Sequence, residues 1–135
     1  MIRYLLDCSA LWRIFRDSDV FAAWQPEIEA GAFRICEATR AEFLYSAQSP
    51  ADRDELAADL DDLCESAAVP KAAWRWADTA QYKLTQRGQH RSAGVVDLVV
   101  CATALHHDLT VLHADADFAT VSRVLPEIAH RDIRT

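Results

Sequence analysis

Short apolar runs separated by helical segments constrain this chain more than any other feature. Residues 2–6 (IRYLL), 32–36 (AFRIC) and 109–113 (LTVLH) read as strands, and residues 129–133 suggest a last one. Between them, Ser9 is a natural N-cap for the helix SALWRIFRD. Residues 20–30 suggest a second helix that Gly31 ends. Thr39-Arg-Ala-Glu42 is a capping-box pattern opening a helix to about Ala47. Residues 51–66 read as a strongly acidic helix with Leu56, Leu60 and Leu63 on one side. Pro70 opens a longer helix over 71–87, stopped by Gly88. Residues 95–107 are helical and almost wholly apolar apart from Asp97, and a short helix follows over 118–124. Strands alternating with helices imply an α/β fold, a parallel sheet with helices on both faces. Ligands bind such sheets at the carboxyl ends of the strands.

No repeat, low-complexity tract or linker interrupts the 135 residues, which fits one domain over 1–135. The net charge of −7 disfavours a passive nucleic-acid binder, which is normally basic. It leaves open a nuclease that carries cations in an acidic pocket. Cys8, Cys36, Cys64 and Cys101 are scattered without a C-x-x-C pair, as expected of buried free thiols in a reducing cytosol. No stretch approaches the ~20 apolar residues of a membrane span. Asp7 interrupts the N-terminal apolar run and no small-residue cleavage site follows, so neither membrane insertion nor a signal peptide is expected.

Four acids are expected to meet. Asp7 follows the first strand and Asp115 the 109–113 strand, so both sit at carboxyl ends. Glu42 is expected in the first turn of the helix leaving the second strand, at the same edge. From Asp97 the helix runs about 15 Å to its end, and the next strand returns about 13 Å. Asp115 therefore comes back to the level of Asp97. Two carboxylates ~4 Å apart repel by about 4 kcal/mol at an effective dielectric of 20, so a cluster demands a cation or raised pKa values. Hard oxygen ligands suit Mg²⁺ or Mn²⁺. Each acid also has a structural explanation. Asp7 suits a helix cap, Glu42 partners Thr39 in the capping box, Asp97 suits a first-turn dipole contact, and Asp115 with Asp117 shapes a turn. Their joint placement carries the functional reading.

The segments YLLDCSALWR, EATRAEFLYSA and VVDLVVCATALHHDLTVLHADADF, in this order and spacing, resemble the PIN-domain family and its VapC-type toxins of bacterial toxin–antitoxin pairs. The similarity spans almost the whole chain. It implies a three-layer α/β/α domain with a short, mainly parallel sheet, an acidic quartet binding one or two Mg²⁺ or Mn²⁺ ions, and RNA cleavage. Asp7, Glu42, Asp97 and Asp115 match the family's acids, Asp117 is an accessory, and Ser9 matches a hydroxyl that orients Asp7 or a bound water. Many members carry Thr where this chain has His113, which leaves His113 as a contact to substrate, a group behind the metal-binding acids, or a structural histidine at a strand end. The resemblance further implies an antitoxin partner and a homodimer. The function expected is a cytoplasmic endoribonuclease toxin. The alternatives are a non-toxin PIN nuclease in RNA processing or on DNA, and a non-catalytic regulatory module.

RNA approaching an acidic pocket needs basic residues at its rim. Arg13, Arg16, Arg40, Lys83, Arg87, His90 and Arg91 are candidates, with ordinary surface charge as the alternative for each. Trp12, Trp24, Trp74 and Trp76 are expected in the core or at an interface, and Trp74 and Trp76 cannot share one helical face. The acids of 51–66 read as a solvated face.

Overall fold

The computed structural model describes all 135 residues. The chain runs β1 (Tyr4–Leu6), α1 (Cys8–Arg16), α2 (Ser18–Ala23), α3 (Gln25–Glu29), β2 (Phe33–Ile35), α4 (Glu37–Leu44) and α5 (Pro50–Leu63). It continues through β3 (Glu65–Ser66), α6 (Ala73–Gln86), a 3₁₀ turn (His90–Ser92), α7 (Val95–His107), β4 (Thr110–His113), α8 (Asp117–Val124) and β5 (His130–Asp132). The five strands form one parallel sheet in the order β3-β2-β1-β4-β5.

Period-two alternation divides the strand side chains between two cores. Leu5 and Val111 pack with α6, α7 and α8 on one face of the sheet. Tyr4, Leu6 and Leu112 pack with Ala10, Leu11, Phe43 and Leu60 on the other. The three layers follow from this division. Strand order reverses at β1, whose neighbours are β2 and β4. The cleft at the carboxyl ends of β1 and β4 is thus a topological switch point, where open α/β sheets bind ligands. The Asp7 N–H donates to the Leu112 carbonyl (3.0 Å), which levels Asp7 with the end of β4.

Several local expectations are corrected. Asp7, not Ser9, is the N-cap of α1, and its carboxylate accepts the Ser9 N–H. Asp and Ser are equally good caps, and the helix begins directly after β1 ends at Leu6, which leaves Asp7 as the capping residue. Helix α4 starts at Glu37 behind Cys36, so Thr39 is interior and buried and makes no capping box with Glu42. Glu42 accordingly sits beyond the first turn. The 20–30 segment splits into α2 and α3 at Trp24, two residues before Pro26, whose missing N–H and fixed φ suit the first turn of a new helix. The acidic helix ends at Leu63, and Glu65–Ser66 pairs in parallel with Arg34–Ile35 as an edge strand. Two exposed polar residues carry no strand signature of their own. Their pairing comes from tertiary placement.

Candidate active site

Asp7, Ser9, Glu42, Asp97 and Asp115 line one cleft of about 440 Å³ together with Cys8, Gly94, Val95 and Val96. Each acid arrives by a different route. Asp7 ends β1 and caps α1. It is 5% exposed, and its Oδ2 accepts the Ser9 hydroxyl (2.7 Å) and the Ser9 N–H (3.2 Å). Ser9 Oγ in turn accepts the Ala114 N–H at 2.9 Å, tying the Asp7 carboxylate to the loop that carries Asp115.

Asp97 lies at the third position of α7, where its Oδ2 accepts the N–H of Gly94, the N-cap residue, at 3.1 Å. Gly94 has no side chain to reciprocate, so this is half of a capping box. Burial, and then the neighbouring Asp7 carboxylate, push Asp97 up to about 6; the Gly94 N–H opposes this, while Asp115 and Glu42 add to it. The charges that raise Asp97 are those of the other three acids of the cleft. Asp115 follows β4. Its Oδ1 accepts the Asp117 N–H (2.9 Å) and its own N–H donates to His113 Nδ1 (3.1 Å). Glu42 is exposed. Its closeness to Cys8 shows in the thiol, which burial first and the Glu42 and Asp7 carboxylates next hold well above the usual thiol range. Cys8 is therefore a neutral thiol in the cleft wall.

Asp117 opens α8 and is exposed outside the lining of the cleft. It contributes its backbone N–H to Asp115, while slight burial and then Asp115 raise its own carboxyl. His113 is 2% exposed, stacked on Phe118 with ring centroids 5.0 Å apart and joined to His130 by Nε2···Nδ1 at 2.9 Å. It is an interior group behind the cleft. His130 has no sequence signal for this role, being seventeen residues away on another strand.

A family model for the PIN domain matches residues 4–124. The chain belongs to the PIN-domain family. This VapC-type chain is 41% identical over 98 residues to Ribonuclease VapC6 of Mycobacterium tuberculosis, covering 73% of this chain and 77% of that protein. It is 36% identical over 122 residues to Ribonuclease VapC21 of the same species, covering 90% and 88%. Its fold matches VapBC-1 of nontypeable Haemophilus influenzae with a TM-score of 0.77 at 14% identity over all of both chains. It also matches DNA-bound VapBC of Salmonella typhimurium with a TM-score of 0.75 at 19% identity, over 98% of this chain and 99% of that one.

In this VapC-type chain none of the basic candidates lines the cleft. Arg16 lies over the Trp12 ring, 4.1 Å from its centroid. Arg40 is paired with Asp61 at 2.8 Å. Arg13, Lys83, Arg87, His90 and Arg91 are exposed, and Arg91 stands three positions before the cleft-lining Gly94. Of the tryptophans, Trp24 is core and donates its indole N–H to the Ile133 carbonyl (2.9 Å), Trp12 and Trp76 are half-buried, and Trp74 is exposed.

Proposed function

We propose that this protein is an Mg²⁺- or Mn²⁺-dependent endoribonuclease, the toxin of a toxin–antitoxin pair acting in the cytoplasm. The reading is carried by the gathering of Asp7, Glu42, Asp97 and Asp115 in one cleft at the sheet's switch point, in a chain whose relatives are named ribonucleases. An antitoxin partner is supported by the VapBC assemblies that share the fold.

The donor set suits a hard divalent cation. The ionisable donors are carboxylates, and the only thiol in the wall is held neutral. As they stand, no three of them close on a common point; Asp7, Glu42, Asp97 and Asp115 are the residues that would hold the ion. A bound ion supplies a water of lowered pKa and positive charge at the phosphodiester. The chain's own residues prepare the rest. Ser9 holds Asp7 in one orientation through two hydrogen bonds. Asp97, which keeps a proton near pH 6 through burial and its acidic neighbours, has to release it to become a ligand. Glu42, the exposed member, reaches in from α4. Phosphate contacts from exposed arginines such as Arg91 fit salt-dependent RNA binding.

The test is cleavage of total RNA by purified protein with Mg²⁺ or Mn²⁺, with chelator, and with Asp7→Asn. Cleavage is expected only with metal and the intact Asp7; persistence in chelator or in the variant rejects the mechanism. Toxicity on expression, relieved by the neighbouring reading frame, is the expected mark of a toxin. Its absence points instead to an RNA-processing nuclease.

A further inference from the structure

The loop carrying Asp115 is tied down from two sides. Ser9 Oγ accepts the Ala114 N–H at 2.9 Å, and His113 Nδ1 accepts the Asp115 N–H at 3.1 Å. The second tie has a direction that backbone chemistry dictates. A peptide N–H only donates, so His113 Nδ1 must present a lone pair. A neutral imidazole has its single proton on the other nitrogen, so Nε2–H donates to His130 Nδ1 across 2.9 Å. His130 then carries its own proton on Nε2. The opposite tautomer of either ring, or a doubly protonated His113, sets two donors against each other at one of these contacts.

The surroundings hold this arrangement. His113 is 2% exposed, its ring is stacked on Phe118 at 5.0 Å, and its carbonyl accepts the Ile133 N–H at 2.7 Å. β4 and β5 are in register with Val111 opposite His130 and His113 opposite Asp132. His113 and His130 therefore meet diagonally on one face of the sheet.

We propose that His130, on the edge strand and outside the cleft, is a positioning residue for Asp115. It fixes the Nε2–H tautomer of His113, whose Nδ1 then anchors the Asp115 backbone. Its value for metal binding rests on the reading of the cleft as a metal site. The backbone anchoring does not. Groups behind a ligand characteristically change metal affinity 10–100-fold when removed.

The experiment combines ¹⁵N spectroscopy of the histidine rings with Mn²⁺ titration and amide exchange at Asp115, on the full chain. In the parent protein His113 Nδ1 is expected to show the shift of an unprotonated, hydrogen-bonded nitrogen. His113→Leu removes the acceptor and is expected to weaken Mn²⁺ binding about tenfold or more. His113→Asn keeps an oxygen acceptor near the Nδ1 position and is expected to stay within about threefold of the parent, on the same scale. His130→Leu is expected to leave His113 with mixed tautomers and to speed exchange of the Asp115 amide. His130→Asn, which restores an acceptor for Nε2–H, is expected to reverse both effects. A protonated Nδ1 on parent His113 overturns the proposal, as does equal loss of Mn²⁺ affinity in the Leu and Asn variants of His113, which marks a packing role only. If the folded parent binds no Mn²⁺, the metal reading fails. The positioning proposal then stands or falls on the ring tautomer and on Asp115 amide exchange in the His130 variants.

Discussion

Helix α5 leaves Asp54, Glu55, Asp59, Asp61 and Asp62 exposed, and Asp61 finds Arg40 across 2.8 Å. The cleft holds Asp7 buried and Asp97 and Asp115 half-buried, and the charges that act on Asp97 are those of the other acids. Residue type is the same in both regions, and so is the formal charge per residue. On α5 water screens each carboxylate, and its separation from the next costs little. In the cleft, fixed N–H and O–H donors hold carboxylates that have lost part of that screening. Acidic content therefore says little about chemistry. Convergence with partial burial is what distinguishes the two regions.

Substitution at the centre of the cleft is expected to break this contrast most sharply. Asp7→Asn should lower metal-dependent RNA cleavage by ~10³-fold or more, since loss of several kcal/mol of metal-derived stabilisation costs a decade per 1.36 kcal/mol. Rate measurements on both variants decide it, with Asp59→Asn expected to cleave as the parent does. The next effect is thermal. Mn²⁺ at about 100 times its Kd should stabilise the folded chain by about 2.7 kcal/mol, raising Tm by several degrees. Chelator should reverse the shift, and Asp97→Asn should abolish it; an equal shift in the variant would place the ion elsewhere, on α5 for instance.

A smaller effect appears without metal. Folded Asp97 holds its proton up to about pH 6, whereas the unfolded chain releases it near 3.8. Between those values the folded state binds more protons, so its share of the stability falls as the pH rises across them. Asp97→Asn removes that loss. Discounted for partial exposure, the variant is expected to be more stable than the parent by on the order of 1 kcal/mol at pH 7, with the gain vanishing below about pH 4. Chemical denaturation at the two pH values measures it. Smallest of all, Asp59→Asn with Asp62→Asn on α5 should change stability within about 0.5 kcal/mol. A larger change there would mean that α5 is more than a solvated face.

The site could be read from local sequence as far as chain direction carries information. Asp7 and Asp115 each follow an apolar strand directly, and the lengths of α7 and β4 return Asp115 to the level of Asp97. Glu42 was expected through a capping box that does not form, because Thr39 is drawn into the interior between Cys8 and Cys36. It reaches the cleft from further along α4 instead. Trp24 was expected inside one helix and marks the break between two.

The sequence by itself determined the alternating α/β plan, the burial of α7 and the placing of three acids at strand ends or a helix start. Apolar periodicity and element length encode these locally. Tertiary structure alone decided that Glu65–Ser66 would join the sheet, and that Ser9 would bridge Asp7 to Ala114. It also decided that His113 would pass the Asp115 N–H contact on to His130. Each of these depends on partners far apart in the chain, whose meeting is fixed by strand order and register. Ser9 and Asp7, like His113 and Asp115, are near neighbours, but nothing in their own types points to Ala114 or His130 as the further partner.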